Sequence, residues 1–198
     1  LFLGAVTLRN SSTGTLSDRL FIWDCTFKGA LTLDGIFSAI KFKNGTGNSL
    51  IDSTATLSLV SGYAGQLTLS YIEQRGSNAI NLNMSTNTST GNNTILTIGP
   101  NAIFNANFSY LGQRLELNGG TFNGSASFTR FSQQLDVCEG GNVFNGVTQI
   151  CDSVAATTAN RVFKLANTNP DDFNGNVTFK QYGTGSSAST MKMYPAYT

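Results

Sequence analysis

The sequence predicts an all-β fold: a β-solenoid of the parallel β-helix kind, with about seven to nine irregular coils of roughly 18–41 residues. Three observations predict it. First, 65 of the 198 residues are Ser, Thr or Asn and another 21 are Gly, all poor in helix interiors, while 14 Phe help keep the apolar fraction at 40%. Second, one seven-residue pattern recurs seven times along the chain. Third, apolar and polar positions alternate within each copy, which is the period of a strand with one buried face.

The copies, in order, open at Phe2, Phe27, Tyr63, Phe104, Phe122, Phe144 and Phe173, with spacings of 25, 36, 41, 18, 22 and 29 residues. Each reads aromatic, any, small, any, apolar, polar, apolar, as in Phe27-Lys-Gly29-Ala-Leu31-Thr32-Leu33 or Phe173-Asn-Gly175-Asn-Val177-Thr178-Phe179. The seven aromatics are the expected core ladder. Gly4, Gly29, Gly65, Ala106, Gly124, Gly146 and Gly175 are the expected inward small residues, placed where a ring or a bend in the strand needs room. A second apolar doublet follows most copies: Phe21 and Trp23, Leu57 and Leu59, Leu115 and Leu117, Leu135 and Val137, Phe163 and Leu165, Met191 and Met193. Turn-forming strings such as Gly119-Gly120, Gly140-Gly141-Asn142 and Asn167-Thr-Asn-Pro170 then lead back to the next aromatic. The two longest intervals are expected to hide a degenerate coil each, because Phe37 to Phe42 and Ile80 to Met84 are further strand-like runs. One such unit cannot bury its own apolar face, whereas stacked units can. A string of small β-sandwich modules is the competing reading, but sandwich repeats run nearer 100 residues.

Charge and motif content narrow the function. Only 12% of residues are charged, 12 basic against 11 acidic, and there is no His. The chain thus lacks the clustered Lys and Arg of a nucleic-acid surface, and no Ser-His or Cys-His couple can be built within it. No run of about 18 apolar residues suggests a membrane span. Cys25, Cys138 and Cys151 lack metal-ligand spacing. Cys138 and Cys151 form a candidate disulfide; three free or buried thiols are the other reading. No catalytic residues, metal site or cofactor are expected, and nothing here resembles a phosphate-binding loop or nucleophile elbow.

Stacking turns each repeated position into a column. An outward column of Thr7, Thr32, Thr68, Ser109, Ser127, Gln149 and Thr178 is expected, with Asn105, Asn123, Asn145 and Asn174 beside the aromatics. Hydrogen bonding between coils accounts for both. A flat glycan- or ice-binding face is the functional alternative, but the one Thr-x-Thr run, Thr86-Asn-Thr88-Ser-Thr90, stands alone. Carbohydrate-processing β-helices place carboxylates together on an exposed sheet. Here Glu116 and Asp136 hold equivalent places between their doublets and are expected at the surface about one coil apart. Asp171-Asp172 follows Pro170 in a turn, where Asp is common. Both ends of the chain fall inside the repeat, so a single solenoid segment over residues 1–198, excerpted from a longer repeat protein, is expected.

The strings Phe122-Asn-Gly124, Asn142-Val-Phe144-Asn-Gly146 and Phe173-Asn-Gly-Asn-Val-Thr-Phe179 carry a family resemblance, with Leu165-Ala-Asn-Thr-Asn-Pro-Asp-Asp-Phe173 and Tyr194-Pro-Ala-Tyr197. They resemble the repeat arrays of large Bacteroidota surface proteins, the SprB-like gliding-motility adhesins and filaments exported by the type IX secretion system. The likeness is clear from about residue 100 onward and looser before it. It implies a non-catalytic, extracellular stalk segment at the bacterial cell surface, supporting adhesion and gliding motility. Its implied partners are neighbouring repeats of the same chain and surface polysaccharide, with no nucleic acid and no membrane insertion. A carbohydrate-processing or glycan-binding parallel β-helix is the alternative. The resemblance also gives meaning to Asp52-Ser53-Thr54 and Asp152-Ser153-Val154, making Ser53 and Ser153 candidate O-glycosylation sites. Sequons such as Asn44-Gly-Thr46, Asn107-Phe-Ser109 and Asn176-Val-Thr178 are expected in so Asn-rich a chain.

Overall fold

Alternation in sequence becomes alternation in burial. In the strand Phe108–Gly112 (β12, counting strands in chain order), Phe108, Tyr110 and Gly112 are buried while Leu111 is exposed. The computed structural model describes residues 1–10, 19–42, 47–60, 64–85, 94–131, 134–155, 161–184 and 189–194. Over these residues it contains 22 strands and no helix, and every strand pairing is parallel. The chain winds as a β-solenoid of about six turns, slightly fewer than the seven to nine coils expected.

Three faces make each turn. The first is one uninterrupted ladder of seven short strands: β3 (Thr26–Phe27), β5 (Ser49–Ile51), β8 (Ile72–Gln74), β11 (Ala102–Phe104), β14 (Thr121–Phe122), β17 (Val143–Phe144) and β20 (Asp172–Phe173). The second face begins with β1 (Val6–Asn10), the first part of β4 (Leu31–Phe42) and β6 (Leu57–Leu59). It resumes with β9 (Ile80–Asn83), β12, β15 (Ala126–Arg130), β18 (Thr148–Ala155) and β21 (Val177–Thr184). The third face holds β2 (Arg19–Ile22), the end of β4, β7 (Ala64–Leu69), β10 (Ile95–Ile98) and β13 (Arg114–Leu117). A separate ladder then continues it: β16 (Asp136–Val137), β19 (Arg161–Leu165) and β22 (Ser189–Met193). β4 serves two faces by bending at Gly35, whose φ of +104° suits only glycine, and its register shifts between Ile36 and Ala39.

The first-face register aligns Phe2, Phe27, Ile51, Gln74, Phe104, Phe122, Phe144 and Phe173. Rings adjacent in this column stack: Phe2 on Phe27 at 5.1 Å, Phe122 on Phe144 at 5.1 Å and Phe144 on Phe173 at 4.9 Å between centroids, each within 8° of parallel. Phe104 joins at 5.2 Å from Phe122. Phe27, Phe104, Phe122 and Phe144 are buried, Phe173 is half-buried and Phe2 is exposed. Each fully buried ring contributes roughly 1.5–3 kcal/mol over an exposed one. Where the rings are interrupted, the buried Gln74 amide makes its own bonds, accepting the Ala106 N–H at 3.1 Å and donating to the Asn78 carbonyl.

The small residues have a different reason from the one the sequence suggested. They stand at the corner between the first and second faces, where one turn's backbone lies directly on that of the turn before. A Cβ on Gly29 would lie 2.5 Å from the Gly4 carbonyl carbon, one on Gly124 2.5 Å from that of Ala106, and one on Gly146 2.3 Å from the Gly124 oxygen. Gly175 meets the Gly146 oxygen in the same way at 2.4 Å. Gly4 has nothing within 4 Å.

Three expectations are corrected. Tyr63 lies outside the described residues, and its copy runs into β7 on the third face, so Gly65 is not a corner residue and no turn begins there. Phe37 to Phe42 contains strand, but as the third face of the turn that opens at Phe27 and not as an extra coil. The two long intervals do hide turns without an opening aromatic, one starting at β5 with Ile51 and one formed by β8, β9 and β10, which holds Ile80 to Met84. Two doublets are displaced by one residue: Ile22 is buried while Phe21 and Trp23 are exposed, and Asp136 is buried while Leu135 is exposed. With a side-chain period of two, a one-residue slip exchanges inside and outside.

Candidate functional site

The slip at Asp136 changes the chemistry of the carboxylate pair. Glu116 lies on the outer side of β13, where its Oε2 accepts the Thr97 hydroxyl at 3.1 Å and its Oε1 lies 3.8 Å from Arg114 Nη2. Asp136 turns into the core and is fully buried. One oxygen accepts from Arg114 Nε at 2.8 Å; the other accepts from Arg130 Nη1 at 2.5 Å and from the Leu115 N–H at 3.3 Å. The two carboxylates therefore share no cleft in which a substrate could lie between them.

Arg130 is the residue missed by sequence reading. It ends the inward run Ala126, Phe128, Arg130 of β15 and is fully buried, as is Asp152 at the matching place in β18. Arg130 Nε donates to Asp152 Oδ1 at 2.8 Å, and the guanidinium sits 4.5 Å from the centroid of the Phe163 ring. Its Nη2 is buried without a hydrogen-bond partner. Arg114, Asp136, Arg130 and Asp152 thus form a net-neutral ionic cluster across successive turns. Above it the Tyr110 hydroxyl donates to the Arg114 carbonyl at 2.7 Å. Burial, aided by the Asp136 charge, pushes that phenol far above its ordinary range.

The polar columns are side-chain ladders between turns. Asn123 Nδ2 donates to Asn105 Oδ1 at 2.6 Å, Asn145 to Asn123 at 2.7 Å and Asn174 to Asn145 at 2.8 Å. On the outer second face, Thr32 and Ser58 hydroxyls lie 3.3 Å apart and Ser109 donates to Asn81 at 2.6 Å. Thr68 belongs instead to the third face, beside Lys41 and Thr97. The Thr86 to Thr90 run and the Asn44 sequon lie outside the described residues. Where the chain passes from the third face to the first, buried Asn142 is fully occupied. It accepts the Gly119 and Gly120 N–H groups at 3.0 and 2.9 Å, and its amide donates to the Leu117 carbonyl and to Asp171 Oδ1. Burial raises the Asp171 carboxyl, against the lowering effect of those Asn142 donors.

Ser53 is exposed and stands in the corner column, between Gly29 and Gly76 in register. Ser153 is half-buried and pairs with Tyr182 in the β18–β21 ladder. The cysteines are unpaired: Cys138 is buried behind the third face, while Cys151 lies on the second face between Thr129 and Lys180. This corrects the candidate disulfide. Burial holds the Cys138 thiol well above its usual range, so it is inert in the native fold. Thiol titration of the purified protein after denaturation, without reductant, is expected to find all three thiols free; a Cys138–Cys151 crosslinked peptide would contradict the placement.

Among the described residues no group of three or more His, Cys, Asp or Glu could hold a metal ion, and no helix is long and apolar enough to cross a membrane. Comparison with known protein families, with curated proteins and with solved structures finds no match to this chain.

Proposed function

We propose that this chain is a non-catalytic, load-bearing segment of an extracellular bacterial surface protein, a stiff stalk that supports adhesion. The observation that carries the reading is the first-face ladder, unbroken through seven strands, with stacked Phe rings along it. A parallel ladder shares a bending load among many backbone hydrogen bonds, and close-packed rings leave no void into which a turn can tilt. The burial of Asp136 supports the same reading, because it removes the one carboxylate pair that sequence position had aligned. The resemblance to SprB-like adhesin repeats supplies the cellular setting. Neighbouring repeats would continue the columns, and Ser53, exposed at a corner, is the better placed of the two glycosylation candidates.

A glycan-binding face is the second reading. It is favoured by the uncharged outer column of Asn81, Ser109, Ser127, Gln149 and Thr178 on the second face. Two measurements on the native source separate these readings from each other and from an enzyme. Antibody to this segment is expected to label intact cells, and the purified chain is expected to release no new reducing or unsaturated sugar ends from a polysaccharide panel. Label confined to lysed cells would overturn the surface assignment; product release would overturn the stalk in favour of a carbohydrate-processing β-helix. Retention on immobilised neutral polysaccharide without product would favour the second reading.

A further inference from the structure

We propose that the third face carries a releasable joint between β13 and β16, held by the Arg114–Asp136–Arg130–Asp152 cluster, and that it parts while the first and second faces stay laddered. The use suggested for it, a yield point in a stalk, rests on the function proposed above. The opening itself does not.

Three observations converge on this junction. The third-face ladder runs through β2, β4, β7, β10 and β13, and a separate ladder begins at β16. At this level the Leu115 N–H, which would otherwise bond a backbone carbonyl, bonds the Asp136 carboxylate instead. Past the end of β16 the turns are linked by the Gly140 N–H to the Leu117 carbonyl at 3.1 Å and by the Glu139 N–H to Asn118 Oδ1 at 2.8 Å. Meanwhile the same turns stay joined on the first face by β11–β14 and on the second by five register pairs of β12–β15.

The core changes character at the same place. The inward column Leu20, Ile40, Leu67, Leu96, Leu115 is apolar in every turn before it. The next inward residue is Asp136, paired in register with Phe163. Charged groups that replace apolar packing in a core are net stabilising only when every donor and acceptor is satisfied, and Arg130 Nη2 is not. The comparison lies within the molecule itself. The second face has its own interruption between β6 and β9, but there Leu57, Ile80 and Leu82 are all buried and close the gap by apolar contact. Water entering at β13–β16 would rehydrate four charged side chains, a gain that an apolar gap does not offer.

Cys138 is a built-in reporter, because its Sγ is buried 3.7 Å from the Leu115 carbonyl and is reached only if this face parts. Two measurements on the wild-type chain test the joint. Hydrogen exchange is expected to be at least ten-fold faster at the Leu115 amide than at Arg114 and Asn118, which bond the preceding turn at the Thr94 and Ile98 carbonyls. Slow thiol labelling, resolved by peptide mass spectrometry, is expected to modify Cys138 at least ten-fold faster than global unfolding. The combined Arg130→Met, Asp136→Leu, Asp152→Leu chain is then expected to slow Cys138 labelling by at least ten-fold. Labelling only at the global unfolding rate, or Leu115 protection equal to that of Arg114 and Asn118, would overturn the joint. If the triple variant does not fold, the two wild-type measurements decide.

Discussion

Gly124→Val is expected to lower the unfolding temperature by on the order of 10 °C, the equivalent of roughly 3 kcal/mol in a chain of this size. The reason is the atom it meets. The first carbon of any side chain at this position would lie 2.5 Å from the carbonyl carbon of Ala106, and backbone in a laddered corner cannot step aside. Relief requires the corner to lift, which separates Phe122 from Phe104 and unlocks Asn123 from Asn105. Gly4→Val is the internal control, because nothing lies within 4 Å of that site in this chain. Thermal unfolding of the two variants side by side checks the account: equal midpoints would show that close backbone stacking does not explain the corner glycines.

The corner illustrates what could be read in advance. Aromatic, small, apolar and apolar at positions one, three, five and seven was sufficient to place Phe104, Phe122 and Phe144 in one column and to identify the glycines beside them. The pattern could not say whether the small residue faces the core or the turn below, because both environments exclude a side chain. Asn105, Asn123, Asn145 and Asn174 were legible for a related reason: a residue that recurs beside a stacked ring must meet its own kind one turn away. The third face was read less well. Its strands follow connections of variable length, so no constant spacing fixes which residue points inward. Phe21 and Trp23 looked like core because they are large and apolar, yet Ile22 fills that place. At β16 the tempting doublet Leu135 and Val137 was wrong by the same single step. The missed signal lay on the second face, where continuing the alternation past Phe128 and Ile150 brings Arg130 and Asp152 inside together. A charged pair of opposite sign at matched inward places is chemically consistent. The expectation that acids lie outside hid it.

Arg130→Met is the second large effect, expected to cost about 3–5 kcal/mol, because removing one member of a buried ionic cluster leaves the others buried without its charge. Met keeps much of the packing against Phe163 while deleting the bonds to Asp136 and Asp152, so the loss reads the charge rather than the volume. Asp136 retains Arg114, at the edge of the cluster and partly exposed, which limits the damage to one side. Denaturant unfolding of Arg130→Met beside the triple Arg130→Met, Asp136→Leu, Asp152→Leu chain separates this from a simple packing defect. Removing both carboxylates as well is expected to restore part of the loss, whereas a packing defect would leave it unchanged or deepen it. A double-mutant cycle with Asp152→Leu completes the argument: if the bond between Arg130 and Asp152 dominates, the second substitution adds far less to Arg130→Met than it costs in the wild-type chain. Strict additivity would show that the cluster does not act as a unit and that the core at this level is held by its neighbours, Phe128, Leu115 and Phe163.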